Sequence, residues 1–326
     1  MIIDNIKTKV VGVNINVEKT SLAIVDIRGN MTEVTSFLTS QYPNIGDYVT
    51  VLCNHIMKLV DKYGSSEEVR SVGISSVSGN FQTGCIENSP NLPWKGVVPL
   101  AAMLRDRMGM AVALGNNAHL MALAEKSFGA AHGLKDFVMV SLGSGMGSCI
   151  YSHGTVHVGA DGFAGEIGHT CVRHKGRLCG CGNRGCLEAY TARKGVLRTA
   201  QEVMAESDEP SLMRQSEQLT PALIKQYCEQ GDKLAIEVYR RTGYILGLGL
   251  ANYCSILNPE AIVFAGSISH AGRWLLEPAY ASFEQHVFHN IQGKVDFILS
   301  NIDDDVRNIL GASVLAWEVK EYSLFL

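Results

Sequence analysis

The order of predicted strands and helices repeats itself once along the chain. Residues 10–15 and 21–26 have the apolar, β-branched character of two paired strands, and helical patterns follow them. After Gly133 the same order begins again, with predicted strands at residues 137–142 and 148–151. A chain of 326 residues is also longer than one domain of roughly 100–200 residues. The repeat therefore predicts an α/β fold with two domains.

The composition excludes several classes of protein. Hydrophobic residues make up 46% of the chain and charged residues 18%, and the net charge of -4 opposes general binding to nucleic acids. No apolar run approaches the roughly 18 residues of a membrane span. The first residues also lack the basic and then apolar pattern of a signal peptide. We therefore expect a cytoplasmic protein without a membrane or nucleic-acid partner.

Three of the nine cysteines lie close together behind a histidine. The spacing is His169-x9-Cys179-x-Cys181-x4-Cys186, with glycines between the thiols. In a cytosolic chain, clustered cysteines are typical of metal binding, and three thiols with one imidazole suit a closed, structural zinc site. His174 is a second candidate for the fourth ligand on spacing alone. The alternative is a set of buried free cysteines.

The residues around this cluster form a longer motif. Glu166-Ile167-Gly168-His169 is followed by a run from Cys179 to Glu188 that reads Cys-Gly-Cys-Gly-Asn-Arg-Gly-Cys-Leu-Glu. This combination resembles the signature of the ROK family, which contains bacterial sugar kinases and sugar-responsive repressors. The resemblance extends from Val10 to the helix predicted after Asp303, through four further segments: Pro90-Asn91-Leu92, Phe128-Gly129-Ala130, Gly143-Ser144-Gly145-Met146-Gly147, and Asn258-Pro259-Glu260 with Ala265-Gly266.

The resemblance implies an actin-like or hexokinase-like fold of the ribonuclease H-like type, with two domains and a sugar in the cleft between them. The first domain would contain residues 1–117 and 303–326, because the helix after Asp303 returns to it in the family. The second domain would contain residues 118–302, with the zinc loop and a helical insertion. Dimers are usual in the family, so we expect a homodimer.

The resemblance also implies the residues that contact the sugar. They are Asn91, Asn116, Asn117, Glu166, His169 and Glu188. Paired carboxylates and amides suit sugar hydroxyls, which both donate and accept hydrogen bonds. His169 can bind zinc with one ring nitrogen and face the sugar with the other, so the metal would orient a sugar ligand. Without the resemblance, Glu188 is a capping or solvated carboxylate and Asn91 a turn residue after Pro90.

For a nucleotide, the resemblance implies two phosphate loops and a turn. The second loop is intact and the turn keeps one of its usual two glycines; the implied contacts are Gly143, Ser144, Gly145, Gly147 and Gly266. The first loop is Asp-x-Gly-Gly-Thr in the family, whereas this chain has Asn14-Ile15-Asn16-Val17-Glu18. Val17 disfavours positive φ, Glu18 repels a triphosphate, and Asn14 lacks a carboxylate for Mg²⁺. These departures count against Mg-ATP as a cofactor.

The catalytic position departs further from the family. The family has Asn-Asp-Ala-Asn, and this chain has Asn116-Asn117-Ala118-His119 in ungapped register with Phe128-Gly129-Ala130. Asn117 therefore stands at the position of the general base, and an amide cannot accept the proton of a sugar hydroxyl. Losing a general base costs roughly 10²–10⁴ in rate. The alternative is a shifted alignment in which Asp106 or Glu125, both on predicted helices, serves as the base.

Three functions are compatible with these motifs. The first is a sugar-binding protein descended from kinases, with little or no phosphotransfer, that acts in carbohydrate sensing or regulation. The second is a working ATP-dependent kinase of hexoses or N-acetylhexosamines. The third is a transcriptional regulator of the same family. Residues 1–9 are too few for a helix-turn-helix unit, so direct DNA binding is not expected.

Overall fold

The computed structural model describes residues 7–63 and 68–319, and the chain divides into two compact units. The first unit contains the described residues before Gly133, the segment Val158–Phe163 and the chain from Ile302 onward. The second unit contains Gly133–His157 and Ala164–Asn301. Each unit holds its own five-stranded mixed sheet with helices, which confirms the predicted α/β class.

The first unit begins with strands that form most of its sheet. Its elements before Gly133 are β1 (Lys9–Ile15), β2 (Lys19–Asp26), β3 (Thr35–Leu38), α1 (Ile45–Tyr63), β4 (Val69–Ser76), β5 (Gly79–Asn80), β6 (Cys85–Glu87), β7 (Val97–Val98), α2 (Leu100–Met108), β8 (Ala111–Asn116) and α3 (Asn117–Phe128). The main sheet has the order β3-β2-β1-β4-β8, and β5-β6-β7 form a small second sheet. β1 is antiparallel to β2 and parallel to β4, so the sheet begins with a hairpin and continues with parallel strands.

The second unit repeats this topology. Its elements are β9 (Phe137–Leu142), β10 (Met146–Ser152), β11 (Thr155–Val156), α4 (Glu188–Thr191), α5 (Arg193–Glu206), α6 (Pro221–Glu229), α7 (Lys233–Leu257), β12 (Ala261–Ala265), α8 (Arg273–His286) and β13 (Asp296–Leu299). The sheet order is β11-β10-β9-β12-β13. β9 is antiparallel to β10 and parallel to β12, as β1 is to β2 and β4. In both units the first hairpin therefore connects the central strand of the sheet to its antiparallel neighbour.

The helix α9 (Asp304–Glu318) completes the first unit by packing against its sheet. Gly12 in β1 and Gly73 in β4 face the helix backbone, and a Cβ at either position would collide with the carbonyl oxygen of Ile309 or Ala312. Asp303 caps the helix, since its carboxylate accepts the Asp305 N–H at 2.8 Å. The two glycines therefore let a helix lie directly on the strands.

The structure places α3 in the first unit, whereas the sequence assigned residues from 118 onward to the second domain. Leu120 packs in a buried cluster with Ala312 of α9. Glu125 forms a fully buried ion pair with Arg307 of α9 at 2.9 Å. Because α3 buries its side chains against α9, the division between the units follows α3 rather than preceding it.

Closely packed helices cover the sheet of the second unit. Asp232 caps α7, since its carboxylate accepts the N–H groups of Leu234 and Ala235. Gly243 and Gly247 let α7 approach the backbone of α8, where a Cβ at Gly243 would lie 2.6 Å from the Leu275 carbonyl oxygen. Throughout the described part of the chain, we find no helix with both the length and the apolar character needed to cross a membrane.

Candidate functional site

Four side chains of the second unit converge on one point. His169, Cys179, Cys181 and Cys186 each offer a ligand atom, and these atoms all lie within 4.8 Å of one another. Cys181 Sγ lies 3.7 Å from Cys186 Sγ, and Cys179 Sγ lies 3.7 Å from His169 Nδ1. Bonds of about 2.3 Å to a tetrahedral ion would hold two sulfur atoms roughly 3.7 Å apart. These two donor pairs therefore have about the separation that one tetrahedrally bound ion requires, and the other donors lie close enough to join them.

The structure distinguishes between the two histidines that the spacing left open. His169 follows Glu166 on a short 3-10 turn, Ile167–His169, and its ring reaches the thiols. His174 is exposed and does not belong to the group of converging side chains. The predicted set of His169 with three cysteines is thus the set that the fold brings together.

Glycine-containing turns allow the thiols to meet. Gly182 and Gly185 have φ values of 93° and 79°, which residues with side chains rarely adopt. The Cys179 N–H donates to the Asn183 carbonyl oxygen at 2.8 Å and closes the turn that contains Cys181. The segment between the cysteines therefore follows a path that depends on glycine, as its composition predicted.

The thiols differ in how strongly they hold a proton. Burial raises the pKa of Cys179 to about 12 and also raises the pKa of Cys186. The backbone N–H of Asn183 lowers the pKa of Cys181, because it donates to the sulfur. A metal ion that takes all three as thiolates must therefore displace protons from the two buried sulfurs.

His169 presents its two ring nitrogens to different neighbours. Nδ1 faces the thiols, and Nε2 lies 3.9 Å from a carboxylate oxygen of Glu166. Glu166 is about half exposed, with 52% of its side chain accessible. Partial burial raises the pKa of Glu166, and the Glu188 carboxylate nearby adds to this rise, while His169 opposes it. The imidazole can therefore bind an ion on one side and remain beside an accessible acceptor on the other.

Glu188 links the cysteine cluster to the glycine loop. It is the first residue of α4, in a stretch that the structure breaks into α4 and α5 at Ala192. One carboxylate oxygen accepts the Met146 N–H at 2.8 Å, and the other lies 3.5 Å from Cys179 Sγ. A Cβ at Gly145 would lie 2.9 Å from the first oxygen, so this position has little room for a side chain. Glu188 is therefore held between two predicted functional elements.

The glycine loop is the turn of the hairpin between β9 and β10. Ser144 at its tip is exposed, and the carbonyl oxygen of Gly143 accepts the N–H of Arg193, the first residue of α5. Gly266 follows β12 with a φ of 85°, and a Cβ there would lie 2.5 Å from the Leu142 carbonyl oxygen. The predicted nucleotide residues Gly143, Ser144, Gly145, Gly147 and Gly266 thus lie at neighbouring strand ends of one sheet.

The corresponding turn of the first unit connects β1 and β2. The Asn16 N–H donates to the Lys19 carbonyl oxygen at 3.0 Å, and the side chains of Val17 and Glu18 are exposed. Asn14 precedes the turn and is 5% exposed, and its Oδ1 has no hydrogen-bond partner among the described residues. The turn therefore presents an apolar and an acidic side chain where the glycine loop presents backbone and a hydroxyl.

Asn116 and Asn117 form the N-terminus of α3. Asn116 is the N-cap residue, and its Oδ1 accepts the Ala118 N–H at 2.8 Å. The Oδ1 of Asn117 lies 2.9 Å from the same N–H group. Both side chains are partly exposed, so each can also hydrogen-bond an external hydroxyl. Their structural role is to accept a hydrogen bond from a backbone N–H group in the first turn of α3.

Asn91 lies on an anchored loop of the first unit. It is exposed, while the adjacent Leu92 and nearby Trp94 are buried. The Trp94 indole N–H donates to the Tyr42 carbonyl oxygen at 3.1 Å. The buried anchors fix the loop and leave the Asn91 amide free to contact solvent or a ligand.

Neither alternative acid is placed as a general base. Glu125 is fully buried and paired with Arg307. Asp106 is exposed on α2 and pairs with the neighbouring Arg105 at 3.2 Å. Both carboxylate oxygens of Glu125 are engaged within the first unit, since one accepts from Arg307 at 2.9 Å and the other accepts the Ala130 N–H at 3.1 Å.

Sequence reasoning missed one residue that supports the cysteine loop. Arg177 is 9% exposed, stacks over the Tyr190 ring at 4.6 Å, and donates to the carbonyl oxygen of Gly195 and to the hydroxyl of Thr199 at 3.0 Å each. Its guanidinium also pairs with Glu202 of α5. It thereby attaches the loop to α5. No spacing signal identified it, because arginines near a surface loop are usually solvated.

Comparisons with known proteins agree with the resemblance of the cysteine motif to the ROK family. A profile of the ROK family matches residues 10–319. The glucokinase of Thermotoga maritima is 31% identical over 316 residues, which cover 96% of this chain and 98% of the glucokinase. The xylose repressor of Caldicellulosiruptor bescii is 30% identical over 209 residues, which are 64% of this chain and 52% of the repressor.

The structural comparison agrees over nearly the whole chain. A crystal structure of a ROK family glucokinase from Streptomyces griseus, in complex with glucose and AMPPNP, superposes with a TM-score of 0.78 at 26% identity. The superposed region covers 95% of this chain and 100% of the glucokinase. The match confirms the actin-like, hexokinase-like fold, and the profile and the relatives leave one conclusion: the chain belongs to the ROK family.

Proposed function

We propose that this protein binds a sugar and transfers phosphate to it very slowly or not at all, and that it acts in carbohydrate sensing or regulation. The observation that carries the proposal is the side chain at the start of α3. Asn117 stands at the position of the family's base. Its Oδ1 lies 2.9 Å from the Ala118 N–H. An amide at this position can orient a hydroxyl but cannot remove its proton.

The metal of the proposed site is zinc. Three thiols and one imidazole are the donors that zinc prefers in closed tetrahedral sites, and the separations of the donor atoms fit. With all four positions filled by protein, the ion would have a structural role. When bound, zinc would fix the ring of His169 through Nδ1 and keep Nε2 directed toward Glu166.

The second unit supplies Glu166 and Glu188 as the proposed acceptors for the sugar hydroxyls. His169 is a further proposed sugar contact. The raised pKa of Glu166 reflects partial burial, which strengthens a hydrogen bond from a sugar hydroxyl. In the first unit, the amides of Asn91, Asn116 and Asn117 are the proposed contacts. The ligand class is a hexose or N-acetylhexosamine, and the assembly proposed from the family is a cytoplasmic homodimer.

A second candidate function is an ATP-dependent sugar kinase. The glucokinase relatives and the intact loop from Gly143 to Gly147 favour it, while Val17, Glu18 and Asn117 oppose it. The xylose repressor relative favours a third function, transcriptional regulation in response to a sugar.

Isothermal titration calorimetry with a panel of hexoses and N-acetylhexosamines, with and without Mg-ATP, tests the proposal. We expect one sugar to bind without nucleotide, and Glu166→Ala to weaken binding by roughly 10–100-fold, as expected for a charged hydrogen bond. Glu277→Ala, which changes an exposed glutamate of α8, is the matched control and should bind like the unchanged protein. Unchanged affinity in Glu166→Ala would contradict the proposed site.

A further inference from the structure

A fourth cysteine lies beside the metal-binding group without belonging to it. Cys171 is exposed, and it forms an isolated antiparallel bridge with the buried Cys186. The Val172 N–H donates to the Gly185 carbonyl oxygen at 2.8 Å, and the Leu187 N–H donates to the Thr170 carbonyl oxygen at 3.0 Å. These two bonds flank the cysteine pair, so Cys171 and Cys186 form a non-hydrogen-bonded pair.

This kind of pair brings two side chains close together on the same face of a ribbon. Directly opposite residues have Cα atoms about 4.5 Å apart in non-hydrogen-bonded pairs. Disulfides join residues whose Cα atoms lie roughly 4.4–6.8 Å apart. Cys171 and Cys186 therefore meet the backbone requirement for a disulfide without movement of either strand segment.

The two thiols are also unequal in access. Cys186 is 1% exposed and is part of the group with Cys179, Cys181 and His169, whereas Cys171 is exposed. Cys181 is exposed as well, but it belongs to the metal-binding group, so Cys171 is the exposed thiol of this loop that a bound ion would leave uncoordinated and open to a small oxidant. An accessible thiol next to a buried partner is the arrangement of an attacking and a resolving cysteine.

We propose that Cys171 is a site of oxidative modification by hydroperoxides and that it ends as a disulfide with Cys186. The Cys171 thiolate attacks a peroxide oxygen, so an S–O bond forms, the O–O bond breaks, and the leaving oxygen departs as water or alcohol. The Cys186 sulfur then attacks the Cys171 sulfur, so the S–S bond forms and the hydroxyl leaves as water. Two thiols lose two electrons in total, and one hydroperoxide gains them.

The disulfide removes one of the four donors of the metal group. This consequence rests on the proposed zinc site, since a zinc ion left with Cys179, Cys181 and His169 loses its closed coordination. Release of the ion would also free the His169 ring, which stands beside Glu166. Oxidation would therefore weaken sugar binding through the same residues that recognise the sugar.

The test treats the purified protein with hydrogen peroxide at neutral pH. Peptide mapping under non-reducing conditions identifies the disulfide, and a chromogenic chelator measures released zinc. We expect a Cys171–Cys186 disulfide, loss of about one zinc per chain, and reversal of both by dithiothreitol. In Cys171→Ser, zinc release should slow by about tenfold or more, because the oxidant must then react directly with thiols of the metal-binding group.

Cys53→Ser is the matched control, since it removes a partly exposed thiol of α1 in the first unit, and it should behave like the unchanged protein. A disulfide that maps to Cys181–Cys186 in the unchanged protein, or equal zinc release in Cys171→Ser, would overturn the proposal. If untreated protein contains no zinc, the proposed metal site fails, while the peptide map still decides whether the Cys171–Cys186 disulfide forms.

Discussion

The two units begin with hairpins at equivalent places in equivalent sheets, and the two turns differ in how they are held. The turn of the second unit carries Gly145 against the Glu188 carboxylate, and Gly143 accepts a hydrogen bond from the start of α5. The turn of the first unit presents the exposed side chains of Val17 and Glu18. Changes in the first turn therefore disturb few packed atoms, whereas changes in the second disturb a carboxylate shared with the cysteine cluster.

This difference explains how one loop can depart from the family pattern while the other keeps it. A turn whose side chains are exposed can change its sequence without harm to the fold. A turn packed against structural side chains stays under the constraint of folding. The intact glycine loop is therefore weaker support for nucleotide binding than its sequence suggests.

The largest expected effect comes from removing one ligand of the metal-binding group in the second unit. In Cys186→Ser we expect loss of bound zinc and destabilisation by several kcal/mol, because structural zinc contributes about 10–16 kcal/mol in small zinc peptides. Metal analysis and thermal unfolding measure both. Cys171→Ser, outside the ligand group, should retain zinc and stability without oxidant. Equal stability of the two variants would show that the cluster does not hold a structural ion.

Repairing the first unit should raise phosphotransfer. We expect the unmodified protein to turn over below ~1 s⁻¹ with Mg-ATP and any hexose. Asn117→Asp alone should recover little, because the nucleotide loop remains altered. A variant with both Asn117→Asp and Asp-x-Gly-Gly-Thr at residues 14–18 should be faster than the loop repair alone by roughly 10²–10⁴, the usual value of a general base.

The loop repair with Asn117 retained is the control for the phosphotransfer experiment, which a coupled assay measures. A base without nucleotide and a nucleotide without base are both ineffective, so the combined repair should exceed the sum of the separate ones. A turnover of ~1 s⁻¹ or faster in the unmodified protein would instead support the kinase function.

Matched substitutions in the two turns should separate their structural roles. Gly145→Ala should destabilise the protein by about 1–3 kcal/mol, because the new methyl group displaces Glu188 from the Met146 N–H. Val17→Gly should change stability by about 0.5 kcal/mol or less, since it lies on an exposed turn. Urea unfolding measures both, and similar losses in the two variants would refute the contrast.

The smallest expected effect concerns the start of α3. Asn117→Asp places a negative charge at a helix N-terminus, which stabilises by about 0.3–1 kcal/mol. The helix lowers the pKa of the new carboxyl in the folded state, so the gain is complete above its unfolded pKa and disappears as the pH falls through the lower folded pKa. Urea midpoints at pH 7 and at acidic pH, compared with the unchanged protein, should show the gain only at pH 7.

Much of the architecture could be predicted because its patterns are local. β9 has the predicted bounds, and α9 begins after Asp303 as predicted. The cysteine spacing also predicted the group that forms. The boundary at α3 could not be predicted, because it depends on the buried pair between Glu125 and Arg307, 182 residues apart in sequence. Likewise, no local pattern shows that Glu188 reaches the Met146 N–H.

The packing of α9 on Gly12 and Gly73 also bears on the order of folding during synthesis. β1 and β4 emerge early, but the helix that covers them follows every strand of the second unit in the chain. The first sheet must therefore remain uncovered on that face while about 160 residues of the second unit are translated. The second unit has all its strands within its own two segments, so we expect it to reach its native state first on the ribosome. The early half of this chain is then the later half to fold.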